Sequence, residues 1–214
     1  MKGVIFDLDG VLVSTDELHY QAWKKLADEL GITEFNREDN MRQRGVSRMA
    51  SLEIVLEKGD KTYTQEEKME LADRKNGYYV EMLQKLDSDA VLPGAVETLK
   101  MLKKMGIMSA VGSASKNAPI ILERTGLAPY IGKISCGLDV TKSKPDPEVF
   151  LVAAKKLGLN PEDCLVVEDA AAGIEAAKRG GMKSLGVGPF HEELGADFHS
   201  ETLATVENWR EILC

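Results

Sequence analysis

Val4-Ile5-Phe6-Asp7-Leu8-Asp9-Gly10 is the stretch that decides how this chain is read. Three apolar residues make a short buried strand, which runs into two carboxylates one residue apart and then into a glycine. Burial raises carboxylate pKa values, and two close anions repel each other. A strand end of this kind needs something to offset its charge. A divalent cation does so, and one carboxylate can then act as nucleophile while its neighbour carries protons. Asp and Gly at a strand end also fit a solvated turn, so the rest of the chain has to decide.

Five short apolar runs read as buried strands: residues 3–6, 107–111, 134–136, 164–167 and 184–187. Between the later ones lie helical patterns over 95–105, 118–126, 148–157 and 171–179, with glycines at 106, 126, 158 and 180–181 where helices end. Strand alternating with helix predicts an α/β fold with a parallel sheet covered on both faces. The first strand breaks the rhythm, because about 80 residues without a convincing strand follow it. Ser14-Thr15-Asp16-Glu17 reads as a capping box. Leu18, Ala22, Leu26 and Leu30 then recur at helical spacing, and Gly31 closes that helix. Further helices are predicted over 48–57 and 65–86, the latter charged enough to face solvent. Pro93-Gly94 marks the return to the sheet. The expected organisation is a core of residues 1–15 and 88–214 with an all-helical insertion over 16–87. An insertion after the two aspartates belongs at the carboxyl ends of the strands, where a lid is useful.

The chain has 214 residues, 43% hydrophobic and 29% charged, with a formal net charge of -8. That charge repels a nucleic-acid backbone. The apolar stretch at the start is too short for a signal peptide or a membrane span, and Asp7 interrupts it. The expectation is a cytoplasmic protein with no nucleic-acid or membrane partner. Cys136, Cys164 and Cys214 form no CxxC pair, and Cys136 and Cys164 read as small core residues. His19, His191 and His199 give no metal-ligand spacing. A metal site here has to use oxygen ligands, which favours Mg²⁺ over zinc.

Three later strand ends carry matching chemistry. Gly112-Ser113-Ala114-Ser115-Lys116-Asn117 leads small, hydroxyl-bearing residues into a helix, which suits a phosphate. An ordinary N-cap serine is the plainer alternative. Lys144-Pro145-Asp146-Pro147 sets a lysine before two prolines that fix the backbone, so that it is held where it can screen a phosphate and a nucleophile together. Glu168-Asp169 is a second acidic pair after an apolar run. With Asp7 and Asp9 it can complete an oxygen cage for a hard cation.

In their order and spacing these four pieces resemble those of the haloacid dehalogenase-like phosphotransferases over essentially the whole chain. The resemblance implies a Rossmann-like parallel-sheet core with an inserted all-helical cap. It implies that Asp7 is the nucleophile that becomes a phosphoaspartate, and that Asp9 is the general acid/base. Asp7, the main-chain carbonyl of Asp9, and Asp169 assisted by Glu168 would then hold Mg²⁺. Ser113, Ala114 and Lys144 would hold the transferring phosphate. Within the family the chain is most similar to the β-phosphoglucomutase branch. His19 and Trp23, Arg44-Gly45-Val46-Ser47-Arg48, Arg74-Lys75-Asn76 and Ser113–Asn117 carry that similarity. It implies substrate contacts by His19, Trp23, Arg48, Lys75, Ser115 and Asn117, a hinge at Thr15, and a phosphorylated sugar as the partner of a monomer.

The implied reaction interconverts β-D-glucose 1-phosphate and glucose 6-phosphate, with glucose 1,6-bisphosphate as primer and intermediate. His19 and Trp23 lie one helical turn apart, so packing of the insertion is their plainer reading. Arg48 suits bidentate grip on a second phosphate. Ala170, Arg44 and Ser14 depart from residues common in that branch, and none of these changes removes a catalytic group. A sugar-phosphate phosphatase of the same fold shares every core motif. A phospho-aspartate signalling domain would share the acids and the lysine, but it has no use for the long insertion.

Overall fold

The computed structural model describes residues 1–43 and 46–214. Arg44 and Gly45, part of the pattern quoted above, lie outside the described residues. The chain divides into two units, one made of Met1–Ser14 with Asp87–Cys214 and the other of Thr15–Leu86.

The first unit is built on six parallel strands: β1 (Gly3–Phe6), β2 (Met108–Gly112), β3 (Lys133–Ser135), β4 (Cys164–Glu168), β5 (Lys183–Gly186) and β6 (Phe198–His199). Their order across the sheet is β3-β2-β1-β4-β5-β6. The chain winds outward from β1 in both directions, so the switch point lies between β1 and β4. Phe6 is in register with Val111 on one side and Val167 on the other, which sets Asp7 level with Gly112 and Glu168. The central strands are buried throughout, as continuous apolar runs in a two-faced sheet must be. Among the described residues β6 is a sixth strand that the apolar runs did not signal. Its two residues carry no hydrophobic pattern.

The first unit also holds the helices numbered fifth to ninth along the chain. Counting the helical unit's four first, they are α5 (Ala95–Lys104), α6 (Ala118–Arg124), α7 (Glu148–Leu157), α8 (Ala171–Arg179) and α9 (Trp209–Leu213). Ile5, Ala110 and Val166 project from one sheet face onto Val149, Phe150, Ala153 and Ala154 of α7 and Ala176 and Ala177 of α8. Cys136 and Cys164 are buried, as small core residues should be, and Cys214 is exposed.

The second unit contains α1 (Asp16–Glu29), α2 (Arg37–Met41), α3 (Arg48–Leu56) and α4 (Gln65–Leu83). Its core gathers Trp23, Leu26 and Ala27 of α1, Leu52 and Val55 of α3, and Leu71 and Ala72 of α4. The charged helix predicted to face solvent does so over most of its surface and buries Leu71, Ala72, Lys75, Tyr79 and Leu83 along one stripe. One sequence expectation needs correction. The capping box predicted at the start of α1 does not form: Thr15 is the N-cap residue but makes no side-chain cap. Its hydroxyl instead accepts a hydrogen bond from Tyr79 Oη at 2.9 Å. Capping boxes do form where sequence reading did not place them, at Asn36/Asp39 and Thr64/Glu67. No helix of the described residues is long and apolar enough to cross a membrane.

Candidate active site

The sheet delivers its chemistry at one edge. Asp7 leaves β1 with its backbone N–H still bonded to the Val167 carbonyl at 2.9 Å, so the carboxylate is fixed one step beyond the last buried residue. Lys144 Nζ lies 2.5 Å from Asp7 Oδ1 and 2.5 Å from Glu168 Oε1. Its side chain is 2% exposed. This is a buried ammonium between two buried carboxylates, and it is stable only because each charge has a partner. Burial dominates for Asp7 and, against the opposing pull of Lys144, raises its pKa to about 7. Burial also works against the Lys144 charge, but Asp7 and then Glu168 outweigh it and hold the ammonium above its ordinary pKa.

Glu168, expected to assist Asp169 at the metal, also makes contacts within the protein. Oε1 takes the Lys144 ammonium, and Oε2 accepts the backbone N–H groups of Asp169 and Ala170 at 2.8 Å each. Both oxygens therefore face protein donors. The carboxylate anchors Lys144 and orders the turn into α8. Gly173 makes room for it, since a Cβ there would overlap the Glu168 carboxyl group. On the other side of the turn, Gly10 takes a φ of +84°, and a Cβ there would overlap the Asp169 carboxylate.

These groups fit a hard cation. The donors are all oxygens, Asp169 packs against the backbone that follows Asp9, and Asp7 is a buried acid whose ionisation burial opposes. Among the described residues no three His, Cys, Asp or Glu side chains form a ready cage.

The loop after β2 is the second component. Ser113 is buried, and its Oγ accepts the Ser115 N–H at 3.1 Å; Ser115 Oγ in turn accepts the Asn117 N–H at 3.2 Å. The N-cap of α6 is Asn117, so Ser113 is not the plain capping serine of the alternative reading. Phe150 went unnoticed in the sequence. Its ring lies 4.7 Å beneath Lys144 Nζ and packs into the space that glycine leaves at 112.

In the helical unit, His19, Trp23 and Lys75 come together. Lys75 is buried, with Nζ 2.9 Å from His19 Nδ1, 4.5 Å from the Trp23 ring centroid and 4.9 Å from that of Tyr79. An ammonium can only donate, so His19 Nδ1 is the acceptor and the ring proton is on Nε2. Burial, then the charges of Lys75 and Arg48, hold the His19 pKa well below its ordinary value. Tyr79 stacks on His19 at 4.1 Å and was not anticipated, although it stands one turn along α4 from Lys75. Arg48 donates to Asn76 Oδ1 at 2.9 Å and lies 3.4 Å from the exposed Asp73. Thr15 is the first residue of this unit and is buried.

The family model described as a haloacid dehalogenase-like hydrolase matches residues 1–181. The β-phosphoglucomutase of Bacillus subtilis is 44% identical over 199 residues, which cover 92% of this chain and 88% of that one. A phosphorylated carbohydrates phosphatase of Thermotoga maritima is 30% identical over 188 residues, 86% of this chain and 84% of its own. The crystal structure of β-phosphoglucomutase from Clostridium difficile superposes with a TM-score of 0.88 at 38% identity, covering 95% of this chain and 92% of that one.

Proposed function

The chain belongs to the haloacid dehalogenase-like hydrolase family, and from that premise we propose that it is a β-phosphoglucomutase. It interconverts β-D-glucose 1-phosphate and glucose 6-phosphate, with glucose 1,6-bisphosphate as primer and intermediate. The observation that carries this reading is the 44% identity to the Bacillus subtilis enzyme over 199 residues, a span that must include both units. A cytoplasmic location is part of the reading, since the charged phosphates of such a substrate keep it from crossing a bilayer unaided.

In this reading Asp7 attacks the phosphorus in line with the departing sugar oxygen, and a phosphoaspartate forms as the P–O bond to the sugar breaks. Asp9 gives its proton to that oxygen and later takes one from the hydroxyl that attacks the phosphoaspartate. Lys144, already against Asp7, neutralises charge on the transferring group, Ser113 and Ala114 bind that group with it, and Ser115 and Asn117 contact the substrate. Asp7, the Asp9 carbonyl, and Asp169 assisted by Glu168 are the residues that would hold Mg²⁺, which when bound would offset phosphate charge; Glu168 also holds Lys144. Arg48 grips the phosphate that is not reacting, and His19, Trp23 and Lys75 contact the sugar phosphate from the helical unit, with Thr15 as its hinge. The phosphatase at 30% identity favours a second reading, in which water replaces the sugar hydroxyl.

Phosphorus NMR separates the two readings. With β-glucose 1-phosphate, Mg²⁺ and a trace of glucose 1,6-bisphosphate, the mutase yields glucose 6-phosphate. Accumulation of inorganic phosphate in its place would establish the phosphatase.

A further inference from the structure

Lys144 sits at the end of a stretch with no helix or strand of its own, and Thr141, Lys142 and Ser143 just before it are exposed. A lysine has four side-chain torsions to fix, so placing its ammonium within 2.5 Å of two carboxylates needs a backbone that does not wander. The first residue of α7 reaches back to provide this. Glu148 Oε2 accepts the N–H of Thr141 at 2.9 Å and of Lys142 at 2.7 Å, and Oε1 stands 3.4 Å from Thr141 Oγ1. Those amides hold the Glu148 carboxyl below its usual pKa. Asp146 tightens the same loop. Its Oδ1 accepts the Glu148 N–H at 3.1 Å, its own N–H bonds the Ser143 carbonyl at 3.0 Å, and its Oδ2 lies 3.4 Å from Lys142 Nζ. Two residues further along α7, Phe150 carries the ammonium on its ring. One helix therefore fixes Lys144 at both ends, the backbone through Glu148 and the charge through Phe150.

We infer that Glu148 is a positioning residue for Lys144: it touches no reacting atom, and its carboxylate sets the loop from which the lysine enters the site. The inference rests on the phosphate-binding role proposed for Lys144, and its test can fail separately from that role. A plain helix-end acid would contribute only its interaction with the α7 dipole. Glu148→Gln can keep one oxygen on both amides and point its NH₂ at the Thr141 hydroxyl, whereas Glu148→Ala loses every contact.

Two readouts are needed on the full-length protein. The first is acetylation of Lys144 by acetic anhydride at alkaline pH, read by peptide mass mapping with Lys142 as the exposed internal reference. The second is kcat and KM for β-glucose 1-phosphate, with thermal melts as a check on folding. Glu148→Ala is expected to raise Lys144 labelling several-fold and to lower kcat by about ten- to a hundred-fold, the scale of a misplaced catalytic group. Glu148→Gln should restore both to near wild type. Labelling that rises while kcat holds would keep the positioning role and remove Lys144 from the proposed chemistry. Lys144 labelling unchanged in a folded Glu148→Ala variant would overturn the inference. If that variant does not fold, Glu148→Gln decides alone: wild-type labelling and kcat support the inference, and a labelling increase equal to that expected of the alanine variant overturns it.

Discussion

At the residue scale the proposed chemistry depends on charge placed where water is scarce. Arg48 is a guanidinium held by Asn76 and Asp73 on the neighbouring helix, so its fork is oriented before any ligand arrives. Arg48→Ala should weaken use of glucose 1,6-bisphosphate by about tenfold or more, the worth of a charge-assisted phosphate contact. Hydrolysis of a simple aryl phosphate, which has no second phosphate, should change far less; equal losses in the two assays would remove Arg48 from the distal grip. His19 yields a prediction about pH. Its folded-state pKa lies well below the ordinary 6.5, so below that pH the unfolded chain binds a proton that the folded one excludes. The stability His19 contributes is present above pH 6.5 and lost as pH falls. Unfolding free energies from urea titrations at pH 7.5 and 5 should therefore differ more for wild type than for His19→Asn. An unchanged difference would mean that His19 is charged in the folded state.

At the scale of elements, the parts that were legible in the sequence are those set by periodicity and turn chemistry. Continuous apolar runs located β1, β2, β3, β4 and β5 to within a residue or so, because a strand buried on both faces leaves no other pattern. The polar residues that follow β1, β2 and β4 were legible for the same reason. Partnerships between distant elements were not. Nothing local shows that the Thr15 hydroxyl meets Tyr79, or that Glu168 meets Lys144. Phe150 and Glu148 act across the sheet edge and across a loop, where sequence spacing carries no signal. The box at α2 is local and was missed because its helix is only five residues long. Asn36 accepts from Glu38 N and Asp39 N, and the Asp39 side chain returns to the Asn36 N–H. Asn36→Ala should cost about 1 kcal/mol of stability in urea unfolding, with turnover retained. A loss below a few tenths would show that the box does not hold α2.

For the whole molecule, the strand order brings every acid implicated in the chemistry to the carboxyl edge of one sheet, beside its switch point. Carboxylates gathered at one strand edge invite a cation, so Mg²⁺ should raise the thermal midpoint of the wild type, and Asp169→Asn should abolish most of that rise. A similar rise in both proteins would place the ion elsewhere. The claim on which all the chemistry depends is that the phosphoryl group passes through Asp7. The direct measurement is to mix the enzyme with glucose 1,6-bisphosphate and Mg²⁺, quench in acid, reduce with borohydride and map the peptides by mass spectrometry. Reduction of an aspartyl phosphate yields homoserine, and the account predicts homoserine at position 7, with none in Asp7→Asn. Homoserine at another acid, or at none while turnover proceeds, would contradict it.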